Sequence, residues 1–413
     1  MEYVQYFEIV GTFNNKPQKL SIDIIPTFES ISINTSTNQK LFELQFSEDN
    51  IKFQWGDQKQ RLGYANSVSL WIKKEEFKIL GKPENIQWLF NLCKGKFLYI
   101  SKDQKQKRTF VKKSDTGIVY KLEDQCNSDE QCFEKILFQK QQQFKQDYYI
   151  PEEIKLLKLI NQNKCPYLMR LETIQYNGNE FSYSYKIKRL DSLNQLIKES
   201  QNLKLSQVLE IIRQLLQVTH YFESIKLVHN QLDLENIQYS KIENIIQITN
   251  FSSSFLEQSQ PNIFKGQVSG HASPESYSSQ QSLTTSTNIY QVGILFYIMV
   301  FGRNPFGNSQ DEIQRNNSEG KFSIPKLSGL IMEKYTKINE QMFEMISSMM
   351  SIYPTMRQSS KYYLSSKIFT PFFKQKISRM ELSLQFNQIK QDDSINEENQ
   401  HLKPVYIFKT KFQ

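Results

Sequence analysis

The sequence predicts an α+β protein in two parts: a small β-rich module closed by one helix, then a larger region of strands followed by long helices. Three observations predict this. A chain of 413 residues is long for a single compact core. Up to about residue 85, short runs of aromatic and β-branched residues alternate with polar turns. Later the apolar spacing becomes helical, most clearly over Leu205–Phe222.

Taken in order, Tyr6–Phe13, Leu20–Ile25, Leu41–Phe46, Ile51–Trp55, Val68–Ile72 and Phe77–Leu80 read as strands. Lys82-Pro83-Glu84-Asn85 punctuates the chain, and Asn85–Lys96 reads as one amphipathic helix holding Trp88, Leu89 and Leu92. The basic stretch Lys102–Arg108, followed by Lys112 and Lys113, reads as a solvated linker; the sharper alternative is a contact for an acidic partner such as a phosphoinositide or a tubulin-like surface. Strand-like segments resume at Phe110, and helical patterns dominate from Glu153 onward. The tail after Lys374 is charged and rich in Gln and Asn, with Pro404–Phe412 as a candidate added strand. The predicted boundaries are 1–100 for the first module, 101–109 for the linker, 110–374 for the larger domain and 375–413 for the tail.

Composition excludes several classes. With 38% apolar and 13% aromatic residues the chain is globular rather than disordered. Its net charge of +8 is spread over the length, so no nucleic-acid partner is expected. Cys93, Cys126, Cys132 and Cys165 form no C-x-x-C pair, and His220, His229, His271 and His401 form no H-E-x-x-H, which argues against zinc. The start MEYVQYFEIV lacks a signal-peptide pattern, and the longest apolar run, Val292–Phe301, is far short of the ~20 residues of a spanning helix. These features predict a soluble, cytoplasmic protein.

A series of strands closed by one helix with an inward tryptophan resembles a pleckstrin-homology domain, a small β-barrel or sandwich. The resemblance implies that the loop between the first two strands would grip inositol phosphates. Here that loop is read as Asn14–Ser21, with Lys16 and Lys19, no arginine, and Ser21 where a second basic contact is expected. A membrane phosphoinositide is therefore the weaker partner, and a protein-packing role the stronger.

The second region carries a longer series of motifs. His229-Asn230-Gln231-Leu232-Asp233-Leu234-Glu235-Asn236 is followed fourteen residues on by Asn250-Phe251-Ser252. Upstream stand Gly117-Ile118-Val119-Tyr120-Lys121, Cys132-Phe133-Glu134-Lys135 and the helix-to-strand stretch from Glu153 to Leu171. Downstream come Ser273-Pro274-Glu275, the apolar stretch Asn288–Phe306, and Arg357. In order and spacing these resemble the bilobal protein-kinase fold of Ser/Thr type, with a β-rich first lobe and a helical second lobe. The resemblance implies an ion pair between Lys135 and Glu153, a structural pair between Glu275 and Arg357, and a hydrophobic column through Leu157, Leu171, His229 and Phe251.

The residues that carry chemistry depart from the family pattern. Gln231 stands where a carboxylate accepts the hydroxyl proton, and Asn250 where an aspartate holds magnesium. Asp233 replaces a lysine that meets the transferred phosphate. Lys112 and Ser114 replace the first two glycines of the phosphate-covering loop, and Phe133 and Tyr185 bring bulk to the adenine site. Asn230 replaces the arginine that receives an activation-loop phosphate, so phosphorylation of Ser252, Ser253 or Ser254 would not order the loop by that route.

The predicted function is that of a pseudokinase, an inactive kinase-fold scaffold or allosteric partner of other proteins. No cofactor is required. If nucleotide and magnesium bind, Gly117, Val119, Lys135, Glu153, Asn236 and Asn250 would meet ATP, with Asn236 and Asn250 as weak metal ligands. One alternative is an active Ser/Thr kinase in which Asp233 serves as base. Another is a structural component of a cytoskeletal or ciliary assembly.

Overall fold

The structure is a computed structural model that describes residues 7–13, 16–26, 30–46, 51–55, 67–72, 75–100, 107–123, 130–138, 151–162, 165–176, 180–188, 191–198, 203, 205–240, 242–259, 270–277, 282–324, 331–370, 382–383 and 409–410. Readings of Cys126, His401, most of Lys102–Arg108 and most of the tail fall outside them. The chain forms two compact units, residues 1–164 with 169–189, and residues 165–168 with 190–413.

The first unit opens with seven antiparallel strands: β1 (Phe7–Phe13), β2 (Lys16–Pro26), β3 (Ser30–Thr35), β4 (Lys40–Gln45), β5 (Ile51–Trp55), β6 (Ser67–Ile72) and β7 (Glu75–Gly81). They are ordered β4-β3-β2-β1-β7-β6-β5. Alternation sends Phe7 and Ile9 of β1, Ile31 and Ile33 of β3, and Val68 and Leu70 of β6 into one core, all at most 2% exposed. Helix α1 (Pro83–Cys93) covers that core with Ile86, Leu89 and Cys93.

Two expectations are corrected here. Lys16–Ser21 is not a loop but the first half of β2, paired from Phe13↔Lys16 to Phe7↔Ile22. Leu20, Ile22 and Ile24 pack inward at period two, and Pro17 is tolerated because β3 begins to pair only at Ile22. The helix starts two residues earlier than predicted, since Pro83 suits a first turn whose N–H groups lack helical partners. Trp88 faces the core as expected, half-buried against it with its ring 6.1 Å from Phe7. Strand β3 was missed because Ser30, Ser32 and Asn34 dilute its isoleucines in a window that reads as a turn.

The same sheet continues. Strand β8 (Leu98–Ile100) pairs in parallel with β5 and with β12 (Arg170–Tyr176). Beyond it lie β13 (Phe181–Lys188), β11 (Glu130–Leu137), β10 (Gly117–Leu122) and β9 (Arg108–Ser114), completing thirteen strands in the order β4-β3-β2-β1-β7-β6-β5-β8-β12-β13-β11-β10-β9. Helix α2 (Glu152–Gln162) packs on β12 and buries Ile154, Leu157 and Ile160, spaced for one face.

The second unit is mainly helical. After β14 (Asp191–Ser192) and α3 (Leu193–Lys198), α4 (Leu205–Ser224) packs on α5 (Thr285–Phe301). Between them run β15 (Leu227–Val228), β16 (Ile237–Ser240), β17 (Ile245–Ile248) and β18 (Phe255–Leu256). Helix α5 is buried at every position from Thr287 to Phe301, as a helix apolar on all faces requires, and ends where Gly302 turns left-handed (φ 69°). α6 (Gln310–Ser318), α7 (Ile331–Met349) and α8 (Ser360–Leu364) follow, with a short pair of β19 (Leu382–Ser383) and β20 (Lys409–Thr410). Among the described residues no helix is long and apolar enough to cross a membrane.

Candidate active site

In the first unit Lys135 of β11 and Glu153 of α2 meet, both largely buried. The Lys135 ammonium donates to Glu153 Oε1 at 2.8 Å and Oε2 at 3.0 Å, and to Thr116 Oγ1 at 2.9 Å. An ammonium has three protons, so these partners use all of them. The Tyr183 hydroxyl adds a 2.7 Å bond to Glu153 Oε1. Burial and the neighbouring Glu153 charge push that hydroxyl well above its ordinary range, so it stays a donor.

Thr116 reaches Lys135 because the β9–β10 turn is tight. Ser114 and Gly117 pair directly across Asp115 and Thr116, and Ser114 Oγ donates to the Gly117 carbonyl at 3.1 Å. The Thr116 carbonyl accepts from Phe138 N at 3.0 Å, fixing the turn to the end of β11. A Cβ on Gly117 would lie 2.3 Å from the Ile136 carbonyl oxygen, so this glycine has a packing reason of its own. Val119 pairs opposite Lys135 and is buried. On the same face Phe133 stacks on Tyr185, with centroids 5.6 Å apart and planes at 20°.

In the second unit the segment His229–Asn236 is held from below by α5. Asn288 accepts from His229 N at 2.9 Å and donates to the Leu227 carbonyl at 2.8 Å. Gln291, one turn on, accepts from Leu232 N and donates to the Asn230 carbonyl at 3.0 Å. Sequence reading passed over both. Their signal was two polar residues three apart inside an otherwise apolar helix.

Gln231, Asn236 and Asn250 come together as three neutral amides. Asn250 Nδ2 donates to Gln231 Oε1 at 3.1 Å and to Asn236 Oδ1 at 3.2 Å. Asn250 Oδ1 in turn accepts from Ser252 Oγ at 2.8 Å. Each side-chain oxygen of the trio therefore already accepts a hydrogen bond. Asn230 and Asn250 adopt left-handed backbone (φ 63° and 64°), which asparagine tolerates. Asp233 faces the chain: its Oδ1 accepts from Asn236 N at 2.9 Å and Glu235 N at 3.1 Å, closing the turn.

The aromatic packing here is dense. His229 lies edge-on to Phe251 at 4.7 Å, and both are fully buried. Burial pushes the His229 imidazole down to about 3. Leu157 and Leu171 are buried within the first unit. Glu275 and Arg357, far apart in sequence, form a two-pronged pair at 2.6 and 2.7 Å.

The family model for the protein kinase domain matches residues 113–369. The chain belongs to the protein kinase domain family.

Curated relatives agree with the kinase assignment. The striated muscle preferentially expressed protein kinase of Danio rerio is 23% identical over 201 residues, 45% of this chain and 6% of that protein. The NUAK family SNF1-like kinase 2 of Homo sapiens is 26% identical over 180 residues, 43% of this chain and 28% of that protein. The serine/threonine-protein kinase RAD53 of Saccharomyces cerevisiae is 23% identical over 167 residues, 37% and 20% of the two chains. The match thus spans less than a third of each of these relatives. Within this kinase domain, β9–β13 form the antiparallel order β12-β13-β11-β10-β9, and α5 is the central helix of the second unit.

The chemistry open to these groups is limited. A hard dication favours anionic oxygen, and Gln231, Asn236 and Asn250 offer neutral oxygens that already accept from Asn250 Nδ2 or Ser252 Oγ. An amide cannot take the proton of a nucleophilic hydroxyl, so Gln231 is no general base.

Proposed function

We propose that this kinase domain is catalytically silent and serves as a scaffold or allosteric partner of other proteins. The observation that carries the reading is the amide trio of Gln231, Asn236 and Asn250, whose oxygens are uncharged and each already accept a hydrogen bond. Magnesium and ATP suit this donor set poorly, and no cofactor is required. Thr116 on Lys135 supports the reading, because it takes the proton that a phosphate oxygen would need. Phe133 stacked on Tyr185 supports it too, filling the face beside Lys135.

The N-terminal strands and α1 are, on this reading, a pleckstrin-homology-type module used for protein contact. Its first hairpin is a poor lipid grip: Lys19 is already 2.7 Å from Glu8, and only residues 14–15 separate the strands. The working location is the cytoplasm, with a cytoskeletal or ciliary assembly as a setting for such a scaffold.

A second reading, an active Ser/Thr kinase with Asp233 as base, draws on the intact Lys135–Glu153 pair and on the kinases among the relatives. Transfer of labelled phosphate from ATP to a generic basic-protein substrate separates the two. The wild type and Asp233→Asn are both expected to match a heat-denatured control. Transfer by the wild type that Asp233→Asn abolishes would sink the silent-kinase reading.

A further inference from the structure

We infer that the N-terminal β module is a fixed brace on the kinase domain, there to hold helix α2 in place, rather than an independently moving targeting arm. The inference stands whether or not the chain transfers phosphate, because it rests on how the first unit is joined.

The joint is β8. Three residues are too few for a stable strand alone, yet Leu98 and Tyr99 pair with Lys52 and Phe53 of β5 on one side. On the other side Leu98, Tyr99 and Ile100 pair with Ile174, Gln175 and Tyr176 of β12. The module and the kinase strands are thereby one hydrogen-bonded sheet, with no free edge at the junction. The apolar core runs up to the joint as well. Phe97, 3% exposed, lies 5.5 Å from Phe46 and 5.3 Å from Phe53.

The turn after α1 then reaches α2 itself. Gly95 is left-handed (φ 69°), and a Cβ there would stand 2.8 Å from the Leu171 carbonyl oxygen and 2.9 Å from Asn161 Nδ2. Asn161 belongs to α2, two turns beyond Glu153, and Leu171 belongs to β12. Beside them Lys94 forms an ion pair with Glu172, a carboxylate 6% exposed that also takes Arg170 Nε at 2.9 Å. A peptide backbone pressed against both β12 and α2, and a cation on a buried acid, fix the helix that carries Glu153. The Lys135–Glu153 pair therefore owes its geometry to the module and needs no nucleotide to form.

Hydrogen exchange on the full chain tests this. Gly95→Val places a Cβ where none fits, and Lys94→Ala removes one cation with little change of shape. Both are expected to speed exchange over 152–162 and 170–176 on the order of tenfold, leaving 285–301 unchanged. In the wild type under urea, 30–46 and 152–162 are expected to open in the same transition. If Gly95→Val fails to fold, Lys94→Ala and the urea series decide. A folded Lys94→Ala with wild-type exchange at 152–162, or a module that opens while α2 stays protected, overturns the proposal.

Discussion

Replacing Arg357 with methionine is expected to lower the thermal midpoint of the second unit by roughly 6–20 °C. The Arg357 and Glu275 side chains are wholly buried and bonded through two prongs. Arg357 also donates to the Ser351 and Ser286 carbonyls and lies 4.6 Å above the Tyr290 ring. Removing one partner leaves a buried charge uncompensated, at about 3–5 kcal/mol. For a domain of this size, each kcal/mol moves the midpoint by about 2–4 °C. Because a well-packed apolar pair can replace a buried ion pair, the double change Glu275→Leu with Arg357→Met is expected to be milder than either single change. Calorimetry of the four proteins checks both statements. A midpoint for Arg357→Met within about 2 °C of wild type would show that the pair contributes little.

Acidification is expected to weaken the second unit from about pH 6.5 downward. His229 is buried, stacked on Phe222 and edge-on to Phe251, and its Nδ1 accepts from Gln231 N at 3.3 Å. Burial lowers its folded pKa to about 3 from an ordinary 6.5. Between those values the unfolded chain binds the extra proton and the folded chain does not, so stability falls with pH at about 1.4 kcal/mol per unit. His271, also lowered by burial to about 4, adds a similar slope over its own window. Below about 4.5 Glu275 joins in: burial raises its carboxyl, but Arg357 outweighs this and holds it below its ordinary value. His229→Phe keeps the ring packing and removes one proton-linked step. Its stability loss from pH 7.5 to 5.0, measured by urea unfolding, is expected to be about 2 kcal/mol smaller than that of wild type. Equal losses would place the acid sensitivity elsewhere.

The kinase domain was legible because its motifs recur in order over most of 250 residues, and motifs of backbone geometry tolerate drift in side chains. The strands of the first module were legible where aromatic or branched residues alternate, as in Ser67–Ile72. They were not where serines intervene, as in Ser30–Thr35. Strand β8 could not be read at all: Leu98–Ile100 is too short for any pattern, and only its two neighbours make it a strand. Substitutions at Gln231 and Asn250 were plain in sequence, but not that their amides bond to each other and to Asn236. Nor could spacing show that Thr116, in a turn nineteen residues before Lys135, takes that lysine's third proton. Both depend on distances that sequence does not carry.

The most direct test of a silent kinase domain is thermal denaturation with ATP, once with magnesium and once with chelator. A ligand at about 100 times its dissociation constant stabilises a fold by roughly 2.7 kcal/mol, a plainly visible shift. The amide trio and the Thr116–Lys135 contact predict no shift in either condition. A shift that requires magnesium would contradict the account, since it would mean that Asn236 and Asn250 release each other to hold a metal–nucleotide complex.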